Sequence, residues 1–174
     1  KNADVVGTIM TNMGFNKCCE ENGMKFISTK VGDRYVLEAM LKEGYNIGGE
    51  QSGHIILKKY ATTGDGLLTA IMITEEICDT KSTLSKLVEP IKLYPQITIN
   101  ARVKDKEAVL KDSEVIKELE EVQRLIDNKG RAILRQSGTE SVIRIMVEAE
   151  TKEKSNEYAN KLHNKLIERG HCVE

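Results

Sequence analysis

Across residues 4–79 short apolar runs alternate with amphipathic stretches, and this rhythm limits the fold more than any other feature of the sequence. "DVVGTIM" (Asp4–Met10) reads as a buried strand, "NMGFNKCCEENG" (Asn12–Gly23) as a helix stopped by Gly23, and "MKFIST" (Met24–Thr29) as the next strand. In "DRYVLEAMLKEG" Asp33 stands at the N-cap position. Val36 with Met40 and Leu37 with Leu41 make i,i+4 pairs, and Gly44 closes the helix. "YNIGGE" and "HIIL" are two short strands joined through a polar, glycine-rich stretch, and "DGLLTAIMITEEICD" (Asp65–Asp79) is a long helix. Strands alternating with helices imply a largely parallel or mixed α/β sheet covered by helices.

The rhythm breaks in "TKSTLSKLVEPIKLYPQ" (Thr80–Gln96), which holds the chain's 2 prolines, Pro90 and Pro95. A domain boundary is placed here, giving 1–88 and 89–174, two small domains that suit a chain of 174 residues. The second block follows a different order. "ITINARV" alternates, with Ile97, Ile99, Ala101 and Val103 on one face. "DSEVIKELEEVQRLID" sets Val115, Leu119, Val122 and Ile126 on one helical stripe. "GRAILR" and "VIRIMVEA" are strands joined by "QSGTES", and a helix from about residue 151 to 169 buries Ala159, Leu162 and Leu166. The expected result is a small α+β domain, an antiparallel sheet with helices on one face.

Composition narrows the function. With 26 basic and 27 acidic residues the net charge is −1, which argues against a nucleic-acid partner held by bulk phosphate neutralisation. No apolar run reaches the ~18–20 residues that a membrane span needs, and no stretch has the form of a signal peptide. Cys18, Cys19, Cys78 and Cys172 lack C-x-x-C spacing, so reduced thiols and a cytoplasmic location are expected. The chain opens on "KNADVVG" rather than methionine, so its start is read as a cut within a longer protein.

Two polar stretches carry chemistry. In "RQSGTES" (Arg135–Ser141), Arg135 offers a planar fork that matches phosphate oxygens, and Ser137 and Thr139 offer hydroxyls. Gly138 lets successive N–H groups converge on one anion. Arg144 follows on the strand. Because Ile143, Ile145 and Val147 alternate towards the core, Arg144 is expected on the opposite face. Glu140 does not help a phosphate site and is read as facing away or bonding a backbone N–H. An ordinary tight turn flanked by surface arginines fits the same residues. In "GGEQSGHIIL", Glu50 and Ser52 stand two apart, so in an extended loop both point to one side and suit a sugar's vicinal hydroxyls. Gln51 adds an amide and His54 a group that titrates near neutrality. A solvated glycine-rich connection is the alternative.

"TKVGDRYV", "GGEQSGHIIL", "TTGDG" and "LRQSGTESVIRIMVEA", in this order and spacing, resemble domains three and four of the bacterial phosphoglucosamine mutases, a branch of the α-D-phosphohexomutase superfamily. The glutamine of G-E-Q-S-G is the feature that resembles that branch. The resemblance implies an enzyme that interconverts glucosamine 6-phosphate and glucosamine 1-phosphate through a phosphoserine and a bisphosphorylated intermediate. It implies Mg²⁺ in the longer enzyme, with the serine and the metal ligands in N-terminal domains that this sequence does not contain. This chain alone is expected to bind phosphosugar and not to turn it over. By position, the resemblance implies sugar contacts for Glu50, Gln51 and Ser52, and proton transfer for His54. It implies a phosphate grip for Arg135, Ser137, Gly138 and Thr139, with Arg144 added from its place on the following strand, and lesser roles for Asp33 and Arg34. Asp65 of "TTGDG" is read as a helix entry. Gln136 and Ser141 stand where the similar loops carry proline, which predicts a looser loop. A phosphomannomutase or phosphoglucomutase fragment, and a non-catalytic phosphosugar-binding module, are the alternatives.

Overall fold

The structure, a computed structural model, describes residues 4–173; residues 1–3 and 174, the outer ends of the two expected domains, lie outside the described residues. The chain divides into two compact units, Lys1–Leu93 and Tyr94–Glu174.

In the first unit β1 (Val5–Thr8), α1 (Met13–Glu21), β2 (Phe26–Thr29), α2 (Asp33–Glu43), β3 (Ile47–Gly49), β4 (Ile55–Leu57), α3 (Gly66–Thr80) and α4 (Leu84–Val88) follow in order. The four-stranded sheet runs β2-β1-β3-β4. β1 lies parallel to β2 and β3, and β4 runs antiparallel to β3, so the sheet is mixed. α2 buries Val36 and Met40 against Val6 and Ile56. It lies so close to β3 that a Cβ on Gly48 would fall 2.5 Å from Met40 Sδ and 2.7 Å from Val36 Cγ1. The first strand stops at Thr8, short of the expected Met10. There Thr8 Oγ1 accepts from the Met10 N–H at 3.2 Å and turns the chain into α1. Asn12 caps that helix through the Gly14 N–H, and Asp65 caps α3 through the Leu68 N–H. A short helix, α4, lies in the segment where the sequence rhythm breaks, started by the Thr83 hydroxyl. None of the 15 residues of α3 is buried, although it carries Leu67, Ile71 and Ile73.

One cap differs from the sequence expectation. Gly32, not Asp33, is the N-cap of α2. Its φ of +130° is open to glycine and strained for other residues, and it lets the chain enter the helix one residue sooner. Asp33 becomes the first helical residue, its Oδ1 accepting from the Arg34 N–H at 2.8 Å.

The second unit holds β5 (Gln96–Arg102), α5 (Lys106–Lys111), α6 (Ser113–Ile126), β6 (Arg131–Gln136), β7 (Val142–Glu148) and α7 (Lys152–Glu168). The sheet order is β5-β7-β6, antiparallel throughout. Ile143, Ile145 and Val147 of the central strand join Val115, Val122, Ile126, Ala159, Leu162 and Leu166 in one core. The expected single helix after β5 is two. Asp112 ends α5 and begins α6, accepting from the Glu114 N–H at 2.9 Å.

Asp112 also ties down the segment after α7. Its Oδ2 lies 2.8 Å from His171 Nε2 and 2.9 Å from Arg169 Nε. These two partners, His171 first, hold the Asp112 carboxyl well below the ordinary carboxylate range. A depressed folded value means that the contribution to stability is full above the ordinary carboxylate value and is lost as pH falls below it. Asp112→Asn is therefore expected to unfold at lower urea than the parent at neutral pH. The gap should shrink as pH drops below about 4; urea titrations across pH 2 to 7 check this, and a gap constant with pH would count against it.

Candidate functional site

The first polar stretch is a tight turn between β3 and β4, not the extended loop that the i,i+2 spacing suggests. The Glu50 N–H donates to His54 O at 2.9 Å and the Gly53 N–H to Glu50 O at 3.0 Å, with Gly53 at φ +99°. The turn still gathers the expected side chains. Ser52 Oγ lies 3.0 Å from His54 Nδ1, and Glu50 Oε1 lies 3.4 Å from the same nitrogen. A nucleophilic serine relay needs hydroxyl and carboxylate on opposite ring nitrogens. Here both crowd Nδ1, which orients the imidazole and turns its Nε2 edge away from them. The His54 side chain is 54% exposed and that of Glu50 only 9%.

What keeps Glu50 in place is Gly32. Its N–H donates to Glu50 Oε2 at 3.1 Å, across 18 residues of sequence. The carboxylate thus meets the head of α2, where a negative charge is favoured by the helix dipole. It does for this helix what the third helical residue does in a capping box. A carboxylate with two such neighbours keeps further lone pairs for hydroxyl groups. Gln51 is exposed. Arg34 is 83% exposed on its side chain and pairs with Glu38 at 2.8 Å, and Asp33 bonds its own neighbour, so neither joins the Glu50–Ser52–His54 cluster.

The second stretch closes the β6–β7 hairpin. Arg135 and Arg144 are register partners across the two strands. Ala132, Ile143, Ile145 and Val147 face the helix-covered core, so both arginines lie on the other face, with Cβ atoms about 5 Å apart. Among the described residues, the buried Nε atoms of both have no hydrogen-bond partner. Burial first, and then the Arg144 charge, pull the Arg135 guanidinium below its ordinary value. The expectation for Arg144 holds as to face. Glu140 bonds Arg144 instead of a backbone N–H, its Oε2 3.0 Å from an Arg144 Nη. Ser137 is 3% exposed; its N–H donates to Val142 O at 3.0 Å and its Oγ accepts from the Glu140 N–H at 3.3 Å. Gly138 and Thr139 are exposed at the tip.

One residue of this turn lies outside any motif. Lys106, the first residue of α5, sends its Nζ to Ser137 O at 2.9 Å and Glu140 O at 3.1 Å. It precedes them by 31 and 34 residues, so no local spacing marks it. Two guanidinium groups side by side, with unused N–H donors and a glycine turn beside them, form a site whose electrostatics favour an anion. No group of three His, Cys, Asp or Glu side chains able to hold a metal ion occurs among the described residues, and no helix there is long and apolar enough to cross a membrane.

Replacing Gly32 by alanine adds a Cβ 3.3 Å from the Tyr35 ring in a conformation that costs about 1–3 kcal/mol for other residues. Gly32→Ala is expected to withdraw the Glu50 bond and leave the His54 ring without a fixed tautomer. Nitrogen NMR of the imidazole checks this; an unchanged His54 signature would show that Glu50 does not depend on Gly32.

Known proteins share this sequence and fold. A family model described as phosphoglucomutase/phosphomannomutase, alpha/beta/alpha domain III, matches residues 1–94, and the phosphoglucomutase/phosphomannomutase C-terminal domain matches residues 99–165. The phosphoglucosamine mutase of Bacillus subtilis (strain 168) is 48% identical over 162 residues, 93% of this chain and 36% of that protein. That of Staphylococcus carnosus (strain TM300) is 47% identical over 165 residues, 95% of this chain and 37% of the relative. The chain therefore spans little more than a third of the length of these curated relatives. Among solved structures, Aspergillus fumigatus N-acetylphosphoglucosamine mutase in complex with glucose 1,6-bisphosphate superposes with a TM-score of 0.83 at 16% identity, over 98% of this chain and 39% of that one. The same fungal enzyme in complex with GlcNAc-6P and magnesium gives 0.77 at 14% identity, over 97% and 39%. At those identities the likeness concerns the fold.

Proposed function

Because this chain belongs to the phosphoglucomutase/phosphomannomutase family, we propose that it supplies the sugar and phosphate grip of a phosphoglucosamine mutase. The observation that carries the reading is the Arg135–Arg144 pair, two like charges held face to face with buried, unused Nε donors beside a glycine turn. In the absence of an anion such a pair costs energy. A phosphate monoester relieves the repulsion and accepts from both guanidinium groups, while Thr139 and the Gly138 backbone reach it from the tip. Ser137, buried with its hydroxyl oxygen already accepting, holds the turn's shape.

Phosphoryl transfer is mostly positioning and electrostatic stabilisation. In this reading the second unit holds the phosphate that is not being transferred. Glu50 and Ser52 accept from and donate to the hydroxyls of a glucosamine ring, and Gln51 bears on the choice of sugar. His54, with Nδ1 engaged by Glu50 and Ser52, offers Nε2 for a proton on a sugar oxygen. Short side chains on a turn suit a ligand that is held in two orientations, as a 6-phosphate and as a 1-phosphate. The nucleophile, a phosphoserine, belongs to the remaining two thirds of the longer protein. This reading assigns the Mg²⁺ chemistry to that part as well; no group of three His, Cys, Asp or Glu side chains able to hold a metal ion occurs among the described residues.

A titration of the 174-residue chain with glucosamine 6-phosphate, followed by amide NMR, tests the reading. Shifts are expected at residues 49–54 and 135–139 with the sugar phosphate, and at the second turn alone with inorganic phosphate. Arg135→Met should weaken the phosphate response about 10-fold or more, the loss of a charged hydrogen bond. No response at either turn up to millimolar ligand would sink the proposal.

A further inference from the structure

We infer that Lys106 is a positioning residue that presets the Ser137–Ser141 turn to receive an anion, an inference that rests on the phosphate reading above. The lysine is anchored at its own end. Asp105 caps α5 by accepting from the Glu107 N–H at 2.9 Å and the Ala108 N–H at 3.1 Å, so the backbone of Lys106 is fixed where the helix begins. From there Nζ draws two carbonyls of the turn towards itself, Ser137 O at 2.9 Å and Glu140 O at 3.1 Å.

The consequence follows from peptide geometry. A carbonyl and the N–H of the next residue share one trans plane and point in opposite directions. Turning Ser137 O and Glu140 O towards Lys106 therefore turns the Gly138 and Ser141 N–H groups away from it. An ammonium has three donors and no acceptor, so it fixes carbonyls without competing for the N–H groups that an anion needs. The turn has no other stiffener of this kind in its own sequence. Gln136 and Ser141 flank it with unrestricted φ, and no proline follows Pro95 in the chain. Ser137 bonds within the turn, to Val142 and Glu140, and closes the hairpin without tying it to another element. The Val103 N–H donates to Ser141 O at 3.1 Å and ties the end of the turn to the chain beyond β5, while Lys106 ties the Ser137 and Glu140 carbonyls to the helical layer.

The test separates orientation from charge. Lys106→Met removes donors and charge together. Lys106→Gln keeps a donor without the charge. Lys104→Met removes the same charge two residues away, from an exposed lysine whose backbone bonds His171 O. Each variant of the 174-residue chain is titrated with inorganic phosphate, and the Gly138 and Ser141 amide signals are recorded without ligand. Lys106→Met is expected to move those amides in the free chain and to weaken phosphate binding about 10-fold. Lys106→Gln should fall between, and Lys104→Met should bind within about 2-fold of the parent, as a screened surface charge. Unchanged α7 amides show that each variant is folded. If Lys106→Met and Lys106→Gln both bind like Lys104→Met and their turn amides stay in place, the inference is overturned while the phosphate reading stands. If the parent chain shows no phosphate response at the turn, both fall.

Discussion

A like-charge pair set across a strand register is the constraint around which the second unit is arranged. Arg135 and Arg144 cannot move apart, because the β6–β7 ladder fixes their positions and β7 is the central strand of its sheet. Ile143, Ile145 and Val147 on the other face are fully buried, so the strand cannot rotate to free the arginines without exposing the core. The hydrophobic burial of three aliphatic side chains, each worth about 1.5–3 kcal/mol, outweighs the repulsion of two partly solvated charges. Packing thus holds in place an electrostatic arrangement that the charges alone would not adopt. Glu140 offsets part of it at Arg144 and leaves the Arg135 side the more cationic.

The first unit reaches a comparable end by other means. Its polar turn is short, exposed at Gln51 and Ser52, and held from beneath by a backbone amide. Glu50 is nearly buried and would be costly there without partners; Gly32 and His54 supply them. One carboxylate serves two purposes, steadying the entry of α2 and turning an imidazole. A rigid scaffold carrying functional side chains on its turns is the usual division of labour between regular elements and loops.

Local periodicity carried most of the elements into view. The strands, the buried stripe of α6 and the core residues of α7 follow from spacing alone, because burial on one face writes itself into a period of two or 3.6. The two polar stretches stood out as well, since glycine with short polar side chains in so few residues has few structural uses. Three features were not. Asp33 looked like a cap because its side chain is of the capping type, and the backbone conformation of Gly32 that takes the cap instead has no side-chain signature. Glu50, Ser52 and His54 were read in an extended loop; in the turn Glu50 and His54 meet as residues four apart. Lys106, and the bond of Asp112 with Arg169 and His171, join residues 31 to 59 apart in sequence. Contacts of that range depend on the assembled layers, and no window of neighbours contains them.

The hairpin register has a consequence for how such chains diverge. Gln136 pairs with Ile143 and Arg135 with Arg144, so the residues between them set which side of the sheet each later side chain meets. Adding or removing one residue in the turn shifts β7 by one position, which would send Arg144 into the core and Ile143 and Ile145 out of it. Only a bulge that absorbs the extra residue escapes this. Substitution at 136, 140 or 141 leaves the register intact. The turn is therefore free to change its chemistry and bound to keep its length.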